Sequence, residues 1–334
     1  MPFGRGPDGK ATPEPLGVTV GLLELARTAL RAHLEAESSG ARLRVLTGDE
    51  SRAVVVVTTG GRPRFVLKLL RPDGSGRADL ARTAAVMALA RGAGVPVPET
   101  VAVGSVAVNA APEVRWQYLL QEHLPGLEWR RLRPMLDRDQ LAAAHRDIAA
   151  ALLRLQSVRF AGFGELDATA APDSTAGPSA APAGTDLVAC LGARAGLRVS
   201  DPRQRALFAG VLGRFVHLFE GPAEPTLVHD DLHHDNLVFD RRQGQWTLRG
   251  VLDWDKAWAG PAESDAARLA FWDNMTGPAF WPVYRAAVPA RPGEPERWAV
   301  YQLLWCLEYA QDTPRHRSDT AELCRRLGVT PADG

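Results

Sequence analysis

Eight consecutive residues, His229-Asp230-Asp231-Leu232-His233-His234-Asp235-Asn236, place three carboxylates, three imidazoles and an amide between the apolar runs Leu227-Val228 and Leu237-Val238-Phe239. So dense a polar stretch cannot be core. It reads as a loop held between two buried strands, a setting that carries function more often than packing. A second apolar run, Gly250-Val251-Leu252, ends in Asp253-Trp254-Asp255. Asp231, Asn236 and Asp253 could then converge at one end of a small sheet. Two carboxylates and an amide oxygen are hard donors that suit magnesium bridging the phosphates of a nucleotide.

Lys68, in Phe65-Val66-Leu67-Lys68-Leu69-Leu70, alternates to the same face as Val66 and Leu70. That face is expected to be buried or to line a cleft. A buried ammonium needs a partner, and phosphate oxygens are a natural one. Lysine occurs only at Lys10, Lys68 and Lys256 against abundant arginine, so a lysine inside an apolar strand needs a reason. The turn Gly48-Asp49-Glu50-Ser51-Arg52 could cover phosphates with backbone N–H groups, Ser51 among them. Its two acids make it a poor anion nest.

These residues need elements to position them. Apolar spacing predicts a helix over Val18–Ala36, then strands over Leu43–Thr47, Ala53–Thr58 and Arg64–Leu70, parted by Gly48-Asp49 and Gly60-Gly61. A helix is expected over Arg77–Arg91, stopped by Gly92, Gly94 and the prolines at Pro96 and Pro98. Strands at Thr100–Val103 and Val114–Gln121 complete a five-stranded antiparallel sheet. After Glu122-His123-Leu124-Pro125-Gly126 helical periods dominate, beginning with Leu141–Leu155 and returning at Pro202–Phe219. Short strands are expected at Thr226–His229, Asn236–Phe239 and Trp246–Leu252, with helices from Ala262 onward. Residues 167–185 have almost no bulky apolar side chains and read as a mobile loop. Strands first and helices later give an α+β chain of two lobes with a cleft. The expected division is a frayed 1–15, a first lobe over 16–121, a connection at 122–126 and a second lobe over 127–334.

Composition narrows the class. Lys+Arg and Asp+Glu are equal at 39 each, so no global field draws the chain to nucleic acid or membrane. Cys190, Cys306 and Cys324 are scattered, which argues against a disulfide framework and fits a reducing compartment. No apolar run approaches the ~20 residues of a membrane span, and the first residues lack the apolar core of a signal peptide. A cytoplasmic enzyme, monomeric or homodimeric, is the expectation.

Taken in order, the motifs resemble the aminoglycoside phosphotransferase family, relatives of the protein kinases. The family's His-Gly-Asp-Leu-His-Pro-Gly-Asn loop matches His229–Asn236, and its Ile-Asp-Trp-Glu motif matches Leu252-Asp253-Trp254-Asp255. Its strand lysine matches Lys68, and its Gly-Val-Pro-Val-Pro turn matches Gly94–Pro98. The resemblance implies a protein-kinase-like fold in which a first-lobe sheet and helix bind ATP or GTP. It implies that Asp231 orients a substrate hydroxyl and accepts its proton, that Asn236 and Asp253 hold Mg2+, and that Lys68 grips the α/β-phosphates. Gln121, Glu122, His123 and Leu124 would be the hinge facing the nucleotide base, and Asp265 would brace the loop. The partners implied are a nucleotide and a small-molecule acceptor, such as an aminoglycoside, a basic peptide or a nucleoside antibiotic.

The chain departs from the family in two places. The position of the usual lysine-pairing glutamate holds Thr83, with Asp79 one turn earlier. Both loop glycines are aspartates, Asp230 and Asp235, which could strengthen metal binding or raise the pKa of Asp231 by like-charge repulsion. His233 is a candidate to contact the acceptor, and Glu308 with Asp312, on one helix face, could receive a cationic one. A zinc or di-metal hydrolase built on His229 and His233 is the rival reading; it leaves Lys68 and Asp253 unexplained. An inert nucleotide-binding module would have little need of Asp231.

Overall fold

The computed structural model describes residues 16–34, 40–72, 78–108, 111–171, 186–221, 223–309 and 313–330. The expected frayed N-terminus, most of the low-complexity loop and Asp312 lie outside the described residues.

The elements, in chain order, are α1 (Leu16–Arg31), β1 (Arg42–Gly48), β2 (Arg52–Thr59), β3 (Arg62–Leu70), α2 (Leu80–Gly92), β4 (Thr100–Val108) and β5 (Ala111–Glu122). Then come β6 (Leu127–Glu128), α3 (Trp129–Leu132), α4 (Arg138–Gln156), β7 (Gly164–Glu165), α5 (Leu187–Arg198), α6 (Pro202–Arg214) and β8 (Pro225–Val228). The rest are β9 (Leu237–Arg242), β10 (Gln245–Val251), β11 (Trp258–Pro261), α7 (Glu263–Phe271), α8 (Phe280–Ala287), α9 (Glu294–Glu308) and α10 (Pro314–Arg326). None of the described helices is long and apolar enough to cross a membrane.

The chain forms two compact units, one of residues 1–88 and 98–125, the other of 89–97 and 126–334. The first unit is the expected five-stranded antiparallel sheet, in the order β1-β2-β3-β5-β4. Alternation sends Val55, Val57, Leu67, Leu69 and Leu120 into a core shared with Leu22, Leu25, Ala26 and Leu30 of α1. Lys68 therefore belongs to the other face, where it stands opposite Val54 and Leu119.

The second unit holds two small sheets, β10-β9-β6 and β7-β11-β8. Its main core joins Phe208, Val211 and Leu212 of α6 to Val300, Leu303, Leu304 and Leu307 of α9, with Trp258 of β11. Residues 89–97 group with this unit because their backbone is tied to it. Val251 N–H donates to Pro96 O (2.8 Å) and Arg154 Nη1 to Gly94 O (3.4 Å). The sheet register also sets the chemistry. Val251 pairs with Leu237, and Leu252 N–H donates to Asn236 O (2.8 Å), so the ladder runs on to the edge of the polar loop and brings Asn236 beside Asp253.

Candidate active site

The loop from His229 to Asn236 leaves β8 and enters β9, and it is braced from three sides. Asp265, in the first turn of α7, accepts the N–H groups of His229 (2.8 Å) and Asp230 (2.9 Å) on its two oxygens. Burial pushes the Asp265 carboxyl up to about 7 in spite of those bonds. The His229 ring accepts Asp231 N–H at Nδ1 (3.1 Å), which fixes its proton on Nε2, the donor to Leu252 O (2.9 Å). It meets the Trp254 ring edge-on at 4.5 Å. Complete burial lowers its pKa to about 4. His229 is a neutral strut linking the two polar segments, and with both nitrogens engaged it is no metal ligand.

Asp231 is buried but surrounded by cations. Its Oδ1 accepts from Arg268 Nη2 (2.5 Å) and lies 3.7 Å from Lys256 Nζ, while Oδ2 is 4.0 Å from His233 Nε2. Burial acts to raise its pKa; Lys256 and Arg268 outweigh burial and hold the carboxyl well below the usual range. Like-charge repulsion from Asp230 and Asp235 therefore does not raise it. Both aspartates have cations of their own. Asp230 accepts from Arg194 Nη2 (2.5 Å) and Trp305 Nε1 (2.8 Å); Asp235 forms a two-point pair with Arg130 (2.5 and 2.8 Å). Committed to these partners, neither strengthens a metal site.

Asn236 donates its Nδ2 to Asp231 O (2.8 Å), so its amide oxygen turns the other way. Asp253, one residue beyond the ladder, takes a left-handed backbone (φ 66°). An amide oxygen and a carboxylate are hard donors of the kind Mg2+ takes, so Asn236 and Asp253 would be the residues to hold it. Among the described residues no group of three or more His, Cys, Asp or Glu could hold a metal ion, which leaves the zinc hydrolase without a ligand set.

In the first unit, Lys68 is half-buried on β3. Asp79 Oδ2 accepts from Gln117 Nε2 of β5 (3.4 Å). Asp79 Oδ1 caps the N–H groups of Ala81 and Arg82, and Thr83 Oγ1 donates to Asp79 O (2.9 Å). The β1–β2 turn is closed on itself. Asp49 Oδ1 takes Ser51 N–H, Ser51 Oγ and Arg52 N–H, so the expected phosphate cover from Ser51 is already satisfied internally. Of the hinge residues, Gln121 is buried, Glu122 N–H donates to Glu99 O and His123 N–H to Arg64 O, and Leu124 is half-buried.

The sequence offers Glu308 as a residue that could receive a cationic acceptor. In the structure the Glu308 side chain is 6% exposed and its Oε2 lies 3.0 Å from Lys256 Nζ. Sequence reading missed Arg194, Lys256, Arg268 and Trp305, which surround Asp230 and Asp231. The scarcity of lysine was a usable signal for Lys256. The other three lie on helices, where nothing local sets them apart.

The sequence model of the phosphotransferase enzyme family matches residues 42–304. No curated protein sequence matches. Among solved structures, the chain is similar to a thermostable mutant of aminoglycoside phosphotransferase APH(4)-Ia with AMP-PNP and hygromycin B: 18% identity, TM-score 0.61, covering 91% of this chain and 96% of that one. It is similar to a putative fructosamine-3-kinase from Thermobifida fusca YX-ER1 (18% identity, TM-score 0.56, 86% and 93% covered). A third is an aminoglycoside phosphotransferase with GDP and kanamycin (15% identity, TM-score 0.57, 91% and 97% covered). At these identities the structures show a shared fold.

Proposed function

The chain belongs to the phosphotransferase enzyme family, and on that premise we propose that it transfers the γ-phosphoryl group of ATP or GTP to a hydroxyl of a small molecule. The observation that supports this reading is the braced loop, in which Asn236 donates to Asp231 O and the Leu252–Asn236 bond ties in the segment that carries Asp253. The acceptor oxygen forms a bond to the γ-phosphorus as the bond to the β-phosphate oxygen breaks, and ADP or GDP leaves. Asp231 orients the hydroxyl and takes its proton. A carboxylate held this firmly ionised is a weak base, which suits a loose transition state where positioning and charge neutralisation carry most of the catalysis. Lys68 grips the α/β-phosphates, and residues Gln121–Leu124 meet the base. Asn236 and Asp253 would hold Mg2+, which neutralises phosphate charge when bound.

We place an antibiotic first as acceptor, phosphorylation serving resistance or self-protection. The neighbours with hygromycin B and kanamycin support that reading. A metabolite acceptor is the second reading, supported by the fructosamine kinase neighbour. The three cysteines are unbridged, in keeping with a reducing, cytoplasmic setting.

The test is nucleotide release with Mg2+ across a panel of antibiotics and metabolites, with Asp231→Asn as control. Acceptor-dependent ADP or GDP release should fall by about 10²–10⁴-fold in the variant while nucleotide affinity is kept. Nucleotide binding without release for any acceptor would leave an inert module. Zinc-dependent hydrolysis without nucleotide would return the rival hydrolase.

A further inference from the structure

An acceptor hydroxyl that reaches Asp231 must do so among cations. Asp231 Oδ1 is taken up by Arg268 and Lys256, which leaves Oδ2 for the hydroxyl. Lys256 Nζ also touches Glu308 Oε2 (3.0 Å) and Tyr309 OH (3.2 Å). Arg194 stands behind, bonded to Asp230, Glu165 and Lys256 O. Asp230, Asp231 and Glu308 are thus each paired with an internal cation. Even at the rim, Asp273 and Asp319 both pair with Arg315. An incoming ammonium group meets carboxylates that already have partners.

The unsatisfied atoms lean the same way. Arg268 is 1% exposed, yet it uses only Nη2; its Nε and Nη1 have no acceptor among the described residues. Arg194 Nε and Arg198 Nε are in the same state. Of the cluster's buried oxygens, Glu308 Oε1 is in the same state, while Glu165 Oε2 faces Arg198 Nη2 at 3.5 Å. Buried donors without acceptors are rare in folded proteins and point to a partner the protein itself does not supply. A small cavity beside Arg268 is lined by Trp272, Trp305, Tyr309 and His316, with Asp319, the partner of Arg315, as its one carboxylate. Trp272 adds an aromatic wall, with its ring 6.3 Å from that of His233.

Resting on the phosphotransferase reading, we propose that the acceptor presents a carboxylate or similar oxygen-rich group to the Lys256–Arg268–Arg194 cluster beside its reacting hydroxyl, and that it is not a polycation. This sets aside aminoglycosides and basic peptides among the acceptors named above, keeps nucleosides and adds hydroxy acids.

Matched ligands test it on the intact protein. Dissociation constants are measured at one pH and ionic strength for glucuronate against glucosamine, and for glycerate against ethanolamine. The acid of each pair should bind about tenfold tighter or better, a difference of ~1.4 kcal/mol. The preference should survive Lys256→Arg and disappear in Lys256→Gln. Equal binding within both pairs, tighter binding of the amines, or no binding of either acid overturns the proposal. The parent protein decides alone should a variant not fold. Nucleotide binding and phosphoryl transfer are followed in the same samples. An acid preference in a protein that binds no nucleotide would sink the phosphotransferase reading and leave the anion site standing.

Discussion

Asp230 holds a backbone angle (φ 62°) that glycine adopts freely and other side chains rarely do. A carboxylate there is doubly awkward, because it is also 1% exposed. Arg194 and Trp305 resolve the second difficulty by placing a donor on each oxygen. Arg194→Met should therefore cost about 3–5 kcal/mol, the usual penalty for stranding a buried charge. In an Asp230→Gly background the same change should cost at least ~2 kcal/mol less, since the stranded carboxylate is gone. Urea unfolding of the four proteins gives the coupling. Additive costs would mean that Arg194 supports something other than Asp230. The two aspartates were visible in the sequence as departures, but their arginines were not. Arg194 lies 36 residues before Asp230, on a helix whose apolar periodicity says nothing of a charge partner.

Elements were legible in proportion to their length. The five strands of the first sheet run over seven residues or more, enough for a period of two to stand out; Gly48-Asp49 and Gly60-Gly61 mark the first two turns, while β4, read as Thr100–Val103, runs on to Val108. Strands β6, β7 and β11 span two, two and four residues. They exist through their partners and carry no periodic signal of their own. Helix α5 went unseen because it follows directly on the low-complexity stretch. The break at Leu124-Pro125-Gly126 was visible, whereas the reason for its glycine was not. Gly126 has φ 131°, and a Cβ there would come within 2.2 Å of Phe239 O on β9. Only a residue without a side chain lets β6 pair with β9 beside the polar loop. Gly126→Ala should destabilise the protein by about 2–3 kcal/mol through strain and displaced backbone. A thermal-unfolding midpoint unchanged from the parent would show that the two segments can part without loss.

For the molecule as a whole, the buried loop ties stability to pH. His229 is neutral in the fold, with a pKa lowered from 6.5 to about 4. The unfolded chain therefore binds the extra proton first, and stability present above pH 6.5 is lost as pH falls toward 4. The loss approaches roughly 3 kcal/mol for this one group. Asp265, raised to about 7, acts in the opposite sense, but it is common to the parent and a His229→Gln variant and cancels between them. The gap in unfolding free energy between the two should thus narrow from pH 6.5 to pH 4; a constant gap would mean that His229 is not held neutral. The bond from Val251 to Pro96 has a consequence in time. Its donor lies about 155 residues downstream of its acceptor. A ribosome adding about 5–20 residues per second needs roughly 10–30 s to cover that distance. Through that interval the nascent chain already carries the segment 89–97 with the carbonyl of Pro96 open to any other donor. That leaves a window in which a chaperone could guard it or a neighbouring chain could claim it.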